Sequence, residues 1–176
     1  MTVGPLLAYN ALQESGALKK DPLQAAAAGI LQRLHEDLVG YAPKTASTVW
    51  WARLGMGGRA KALPRGLYIF GPAGRGKSML MDLFFEGAPS AIKKRVHFHE
   101  FMIDVHDTIH AWRQSLDKQR DQIDPLPRIA QEIAGKSTLL CFDEFHVTNI
   151  ADAMILGRLF EGFFNSGVAV VATSNF

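Results

Sequence analysis

The chain has 176 residues, of which 48% are hydrophobic and 20% are charged, and its formal net charge is +2. This length allows one hydrophobic core with a small additional segment, and so low a net charge gives no electrostatic reason to expect a nucleic acid or an anionic membrane as a partner. The sequence has no apolar run of membrane-spanning length, no secretory signal and a single cysteine, Cys141, so we expect no membrane span, no intramolecular disulfide and a cytoplasmic location.

Residues 1–64 are predicted to form an N-terminal helical segment and a connector. After a small apolar patch in the first 20 residues, Asp21-Pro22 indicates a helix start, with Asp21 as N-cap and proline at the first helical position. Gly40 is expected to end this helix. Its inward face is predicted to consist of Leu23, Ile30, Leu31, Leu34 and Leu38. The following stretch, which contains the Trp50-Trp51 pair and a glycine cluster, is interpreted as the connector.

A glycine-rich segment, Gly71–Ser78, reads G-x-x-x-x-G-K-S. A short apolar segment of strand type precedes it and an apolar run that favours a helix follows it, which is the context of a phosphate-binding loop. The glycines would let backbone N–H groups surround the phosphates of ATP, Lys77 would reach the β- and γ-phosphates, and the Ser78 hydroxyl would bind Mg²⁺. The residues predicted to contact ATP are Gly71, Pro72, Ala73, Gly74, Arg75, Gly76, Lys77, Ser78 and Met79.

Strands and helices alternate over residues 65–176. A second strand is predicted over 93–101, and the helix after it has apolar residues at steps of three and four: Phe101, Val105, Ile109, Trp112 and Leu116. A charged loop, a short helix ending at Gly135, a buried strand, another helix and a last apolar strand over 168–175 complete the series. The alternation predicts an α/β fold, with a parallel sheet covered by helices on both faces, as in P-loop nucleoside triphosphatases.

Two carboxylates, Asp143 and Glu144, follow the buried strand. On its own, such a pair would be interpreted as a solvated acidic strand end. Its position, 66 residues after Lys77 and at the carboxyl end of a buried strand, favours a functional interpretation, because open α/β sheets bind ligands at this edge. Asp143 is predicted to hold Mg²⁺ directly or through water. Glu144 is predicted to polarise the water that attacks the γ-phosphate.

Two uncharged polar residues are further candidates. Asn175, at the end of the last strand, is predicted to hydrogen-bond the attacking water or the γ-phosphate, the alternative being a polar turn that merely ends the strand. Gln24 lies at the start of the N-terminal helix, and its amide can both donate to and accept from the adenine edge. The alternative for Gln24 is a capping-box partner of Asp21.

The histidines allow a weaker hypothesis. His97 and His99 are predicted to share one face of the second strand, and His106 and His110 are one helical turn apart, so the spacing of metal ligands exists. Because no cysteine is nearby, a zinc site is disfavoured. We expect His97 or His99 to hydrogen-bond toward Glu144, and the open alternative is a histidine buried under a helix.

Over whole segments the sequence resembles the ZapE family of AAA+ ATPases. The resemblance is carried by GLYIFGPAGRGKSMLMDLFF, KKRVHFHEFMIDVH, LLCFDEFHVTNIADAMILGRLF and GVAVVATSNF, and by the N-terminal segment around Asp21-Pro22-Leu23-Gln24. It implies a cytoplasmic ATPase that uses ATP and Mg²⁺, forms a homo-oligomer in a full-length chain, and acts on a protein client such as the tubulin-like division-ring protein. In this family Asn175 would be the first sensor.

Members of that family continue past the first sensor into a fifth strand, a trans-acting arginine finger, a second sensor and a helical lid. The corresponding residues would lie beyond Phe176, so the core over 65–176 is expected to lack the lid and to bind ATP while hydrolysing it weakly. The strand before the phosphate-binding loop is expected to have an open edge.

Two other functions are compatible with the same motifs. Asp143-Glu144-Phe145-His146 fits the D-E-x-H pattern of helicases, and Arg59, Lys61 and Arg65 would form a basic patch in a nucleic-acid motor or helicase loader. The balanced charge and the lack of an aromatic, basic groove argue against that alternative. A second alternative is an adaptor that binds ATP without turning it over.

Overall fold

The computed structural model describes residues 3–43, 62–114 and 124–175. In chain order the elements are helices α1 (Pro5–Glu14) and α2 (Pro22–Leu38), strand β1 (Leu67–Gly71), helix α3 (Lys77–Gly87), strand β2 (Lys93–His97), helices α4 (Phe98–Gln114) and α5 (Leu126–Ala134), strand β3 (Leu139–Asp143), helix α6 (Ile150–Asn165) and strand β4 (Ala169–Asn175). Every helix within these ranges is too short or too polar to cross a lipid bilayer.

The four strands form one parallel sheet in the order β1-β4-β3-β2. The pairing sets Gly71 at the end of β1 opposite Asn175 at the end of β4, and His97 at the end of β2 opposite Asp143 at the end of β3. All four carboxyl ends therefore meet at one edge of the sheet. The predicted α/β fold is confirmed, and β1 forms one edge of the described sheet, as expected.

Helices cover both faces of the sheet. Alternate residues of β3 and β4 pack with α1, α2 and α3 on one face, namely Leu139, Cys141, Ala169 and Val171. The residues between them pack with α4, α5 and α6 on the other face, namely Leu140, Phe142, Val170 and Ala172. Successive side chains of a strand point to opposite faces, which explains why these strands are apolar throughout. Burial raises the pKa of the Cys141 thiol to about 12, so this cysteine is a neutral core residue at physiological pH.

Helix α2 starts as predicted but buries a different face. The Asp21 carboxylate accepts hydrogen bonds from the backbone N–H groups of Leu23 at 2.9 Å and Gln24 at 3.4 Å. Leu23 and Ile30 were predicted to face inward, which is wrong, since their exposed fractions are 71% and 44%. The buried residues are Ala28, Leu31, Leu34, His35 and Leu38. This face of α2 packs closely against both α1 and α3, and the small Ala28 fits there. The prediction counted only large apolar residues and therefore did not include Ala28.

Helix α1 was not predicted from the sequence. It begins after Gly4 with Pro5 at its first position, which is a recognised start signal that the short apolar patch obscured. Tyr9 is fully buried, and its hydroxyl donates to the carbonyl of Asp21 at 3.3 Å while accepting from Gln13 Nε2 at 2.9 Å. Tyr9 therefore ties α1 to the residue that caps α2.

The second strand is shorter than predicted. β2 ends at His97 and α4 begins at Phe98, so His99 lies on a helix and the prediction that His97 and His99 share a strand face is wrong. A helix forms from Phe98 onward because the apolar residues recur at helical spacing and pack against the sheet. These buried residues are Phe98, Phe101, Met102, Val105 and Ile109.

Several predictions lie outside the described residues. They concern most of the connector with Trp50-Trp51, the basic residues Arg59 and Lys61, the charged segment 117–123, and Leu116 in the apolar stripe of α4. The division of the chain at residue 64 also stays a prediction.

His35 predicts a pH dependence of stability. It is 6% exposed, its Nδ1 has no hydrogen-bond partner within the described residues, and burial lowers its pKa against the opposing attraction of Glu36. As the pH falls below the ordinary histidine pKa of about 6.5, the unfolded chain binds a proton first, so the free energy of unfolding is expected to decrease. Urea unfolding on both sides of that pH measures the effect. His35→Leu should diminish it, and an unchanged pH dependence in this variant would contradict the assignment.

Candidate nucleotide site

The residues predicted from the motifs meet at the carboxyl edge of the sheet. Gly71 ends β1 and opens the glycine-rich segment, and Asn175 is its partner on β4. Asp143 ends β3, and Glu144 follows it directly. Of the three polar residues that end β4, Thr173 and Ser174 are buried and only Asn175 is exposed. The edge therefore presents a glycine-rich turn, two carboxylates and one carboxamide.

The glycine-rich segment turns directly into helix α3. Gly74 and Gly76 have φ angles of +74° and +78°, in the left-handed region that favours glycine. Gly76 is also the N-cap of α3, and Lys77 and Ser78 are the first two residues of this 11-residue helix. The free N–H groups and partial positive charge of the amino end of the helix therefore lie at the end of the turn, where an anion is stabilised.

The Lys77 ammonium lies across the turn. Its Nζ donates hydrogen bonds to the carbonyl oxygens of Gly71 at 2.8 Å and Pro72 at 2.7 Å. Both acceptors are neutral, whereas a phosphate oxygen carries negative charge and forms stronger charge-assisted bonds with the same donor. The lysine is therefore held close to the turn by contacts that a phosphate group can replace.

Asp143 is paired with Arg95, a residue that the sequence interpretation passed over as part of a basic strand start. Arg95 Nε donates to Asp143 Oδ2 at 2.6 Å and Nη2 donates to Oδ1 at 3.2 Å, while Nη1 contacts Asp82 on α3. Burial alone would lower the pKa of Arg95, but the hydrogen bonds and attraction of the two carboxylates raise it above its usual value. The only signal in the sequence for this pair was the position of Arg95 within a strand, because an arginine in a sheet that helices cover on both faces needs an anionic partner.

The residues at this edge suit Mg²⁺. Ser78 offers a hydroxyl oxygen from the first turn of α3, and Asp143 offers a carboxylate at the end of β3. Magnesium prefers such hard oxygen ligands and is usually held by one or two protein groups together with phosphates and waters, rather than by a protein cage. The described part of the chain contains no cluster of three or more His, Cys, Asp or Glu side chains that could hold a metal by themselves.

Glu144 has an unusual backbone. Its φ of +54° is the only positive value of a non-glycine residue in the described ranges. The residue after it explains how this strained conformation persists: the Phe145 N–H donates to the carbonyl of Thr173 at 2.7 Å, and the Phe145 ring lies 4.5 Å from that of Phe98. Since β3 fixes one side of Glu144 and Phe145 fixes the other, the backbone sets the direction of the exposed carboxylate, which has no hydrogen bond or ion pair within the described residues.

Gln24 contacts the glycine-rich segment. Its Nε2 donates to the carbonyl of Arg75 at 3.1 Å, and a Cβ atom on Gly76 would lie 2.8 Å from the same nitrogen. Its Oε1 is buried and has no hydrogen-bond partner within the described residues, so it does not accept from the Asp21 N–H as a capping box requires. The capping-box alternative is therefore wrong, and α2 is linked directly to the predicted phosphate-binding loop.

The histidines are dispersed. His97 is exposed at the end of β2, and His99 is exposed in the first turn of α4. His106 Nε2 lies 2.7 Å from Asp152 Oδ1, which links α4 to α6, and His110 contacts Gln114. The predicted hydrogen bond from His97 or His99 toward Glu144 is not formed among the described residues.

Comparisons with known proteins extend along the whole chain. The family model described as AFG1-like ATPase matches residues 3–176. Cell division protein ZapE of Escherichia coli is 39% identical over 182 residues, covering 99% of this chain and 46% of ZapE. Lactation elevated protein 1 homolog B of Danio rerio is 56% identical over 116 residues, covering 64% of this chain and 23% of that protein. The chain spans less than half the length of either relative.

The solved structure of DnaI shares the fold. Its TM-score is 0.54 and its sequence identity 16%, with 92% of this chain and 71% of the DnaI chain covered. This similarity supports a P-loop nucleoside triphosphatase fold, in which the glycine-rich segment lies between β1 and α3. The resemblance found in the sequence is confirmed by both the family match and ZapE. The chain belongs to the AFG1-like ATPase family.

Proposed function

We propose that this protein binds ATP with Mg²⁺ and hydrolyses it to ADP and phosphate. The observation that supports this most strongly is the meeting of the glycine-rich turn, Asp143, Glu144 and Asn175 at one edge of a parallel sheet. In this proposal the loop residues Gly71 to Met79 surround the phosphates, and Lys77 binds the β- and γ-phosphate oxygens. Ser78 and Asp143 hold the metal ion, which would offset the negative charge of the phosphates.

The residues of the chain would then act on the attacking water. The Glu144 carboxylate accepts a hydrogen bond from the water and raises its nucleophilicity, and the Asn175 carboxamide orients the water or the γ-phosphate. The strained backbone at Glu144 favours this role, because it directs a carboxylate that no side chain of the described residues holds. Strain of this kind is concentrated at functional sites.

The test is nucleotide binding followed by turnover. Titration with a fluorescent ATP analogue, with Mg²⁺ and with EDTA, is expected to show saturable binding that Mg²⁺ strengthens. Single-turnover assays with protein in excess over ATP detect even slow hydrolysis. Absence of binding would reject the site, whereas binding without any turnover would favour the ATP-binding adaptor.

We propose that the protein uses ATP hydrolysis to act on a protein client. The E. coli relative is named a cell division protein, which supports a client with a role in cell division. We propose the tubulin-like division-ring protein as this client and a homo-oligomer as the active form. Capture with a Glu144→Gln variant loaded with ATP would identify the client. Strongly salt-dependent binding of DNA or RNA would instead favour a nucleic-acid motor.

Gln24 is proposed to read the adenine base through its carboxamide, which can both donate and accept. Replacing Gln24 by alanine is expected to reduce the preference for ATP over GTP about three- to tenfold, the effect of losing one hydrogen bond. Affinities for both nucleotides measure this, and the melting temperature controls for damage to α2. If both affinities fell equally, Gln24 would act only by holding the Arg75 carbonyl. If neither changed, it would have no role in binding.

A further inference from the structure

The three-residue contact among Asp82, Arg95 and Asp143 joins three elements around the proposed metal carboxylate. Arg95 lies in the middle of β2, Asp143 at the end of β3, and Asp82 on α3, the helix that starts at the glycine-rich turn. The Arg95 guanidinium is bidentate toward Asp143, with bonds of 2.6 Å and 3.2 Å, and uses its remaining nitrogen for Asp82. Both oxygens of Asp143 therefore already have a cationic partner.

The surroundings of the two carboxylates differ. The Asp143 side chain is 10% exposed, whereas that of Asp82 is 53% exposed. A buried carboxylate needs a counter-charge, and leaving one unpaired is strongly unfavourable. The exposed Asp82 has water as an alternative partner. A metal ion that binds Asp143 must therefore compete with Arg95, and Asp82 offers the guanidinium a second, accessible anion.

We propose that Arg95 is the resident counter-ion of Asp143 and that it yields at least one Asp143 oxygen when Mg²⁺ arrives with the nucleotide, with Asp82 retaining the guanidinium. This inference rests on the proposed function of the site. Arg95 is a positioning residue in this scheme: its two hydrogen bonds orient the buried carboxylate, and it sets the Mg²⁺ concentration at which the site fills. Since Asp82 belongs to α3, the exchange also links the metal carboxylate to the helix of the phosphate-binding loop.

The exchange predicts opposite effects for its two partners. The measurement is the affinity for a fluorescent ATP analogue across a Mg²⁺ titration, from which the half-saturating Mg²⁺ concentration is obtained. Arg95→Gln removes the competing cation and should lower this concentration about tenfold, the worth of one charge-assisted interaction. Asp82→Asn weakens the alternative anion, so Arg95 stays on Asp143, and the concentration should rise about twofold, since Asp82 is largely solvated.

Two further variants separate exchange from a simple change of charge. Lys94→Gln removes one positive charge from the neighbouring position of β2, whose side chain points to the opposite face, and should leave the half-saturating concentration unchanged. Arg95→Lys keeps the charge but loses the bidentate geometry. Exchange predicts that Arg95→Lys lowers the concentration partway toward the Arg95→Gln value, whereas a purely electrostatic role of Arg95 predicts no change.

The outcomes distinguish this inference from the function on which it rests. If Mg²⁺ does not strengthen nucleotide binding in the parent protein, the metal assignment itself fails. If Mg²⁺ strengthens binding but Arg95→Gln leaves the half-saturating concentration unchanged or raises it, then Arg95 stays bound to Asp143 in every state. The proposed exchange is then overturned. Should Arg95→Gln fail to fold, the other two variants decide. The inference is overturned if Asp82→Asn leaves the half-saturating Mg²⁺ concentration unchanged or lowers it, or if Arg95→Lys leaves that concentration unchanged.

Discussion

Replacing Lys77 by alanine is expected to weaken ATP binding at least about tenfold. Each charge-assisted hydrogen bond from the ammonium to a phosphate oxygen contributes about 1.5–3 kcal/mol, and the substitution removes all of them. The variant also loses the bonds to the carbonyls of Gly71, which is half-buried, and Pro72, which is exposed, so the melting temperature is measured alongside the affinity. Isothermal titration calorimetry with ATP and Mg²⁺ measures the change.

The chain offers a matched control for this substitution. Lys93 likewise donates to backbone carbonyls, those of Phe85, Glu86 and Ala88, at the opposite end of α3. Lys93→Ala should therefore lower the melting temperature while leaving the affinity for ATP unchanged. If Lys77→Ala bound ATP as tightly as the parent protein, or if both variants lost affinity equally, the glycine-rich segment would not be the phosphate-binding loop.

Replacing Glu144 by glutamine is expected to leave ATP bound but unhydrolysed. Glutamine keeps the shape of the side chain and removes the negative charge that polarises water, and loss of a general base typically lowers a rate about 10²- to 10⁴-fold. Single-turnover measurement of phosphate release, together with the affinity for ATP, separates the chemical step from binding. The affinity should stay within about twofold of the parent value.

Glu161→Gln makes the same chemical change at an exposed position in the second half of α6, outside the proposed site. It should alter neither binding nor turnover. Hydrolysis by Glu144→Gln at the parent rate would contradict the catalytic assignment, and a large loss of ATP affinity would indicate that Glu144 binds the metal or the nucleotide instead.

The fold and the main site residues could be predicted because their signals are local. The glycine-rich segment has a fixed spacing between two apolar segments, and Asp143-Glu144 stands at the end of a strand that is buried on both faces. Each pattern requires only adjacent residues. Since parallel strands end at the same edge, the meeting of these groups followed from the fold class itself.

The features that were missed depend on contacts between distant parts of the chain. The contact of Arg95 with Asp82 and Asp143 joins three elements, and no spacing of residues in the sequence indicates it. The end of β2 was misplaced because the alternation of apolar residues with histidines over 96–99 fits a strand, whereas Phe98 and Phe101 are spaced as in a helix, and only packing against the sheet decides between the two. The link from Gln24 to the Arg75 carbonyl likewise depends on how α2 packs on α3.

The left-handed backbone at Glu144 has a consequence for the evolution of this site. Glycine adopts that conformation with less strain than glutamate, so where hydrolysis was no longer selected, a change to glycine would relieve about 1 kcal/mol of strain. A single base change converts a glutamate codon into a glycine codon. Descendants with glycine at this position and an intact glycine-rich segment would still bind the nucleotide without consuming it. Under the proposed function, one substitution would thereby replace ATP turnover by nucleotide-controlled binding, and selection for stability would favour that change.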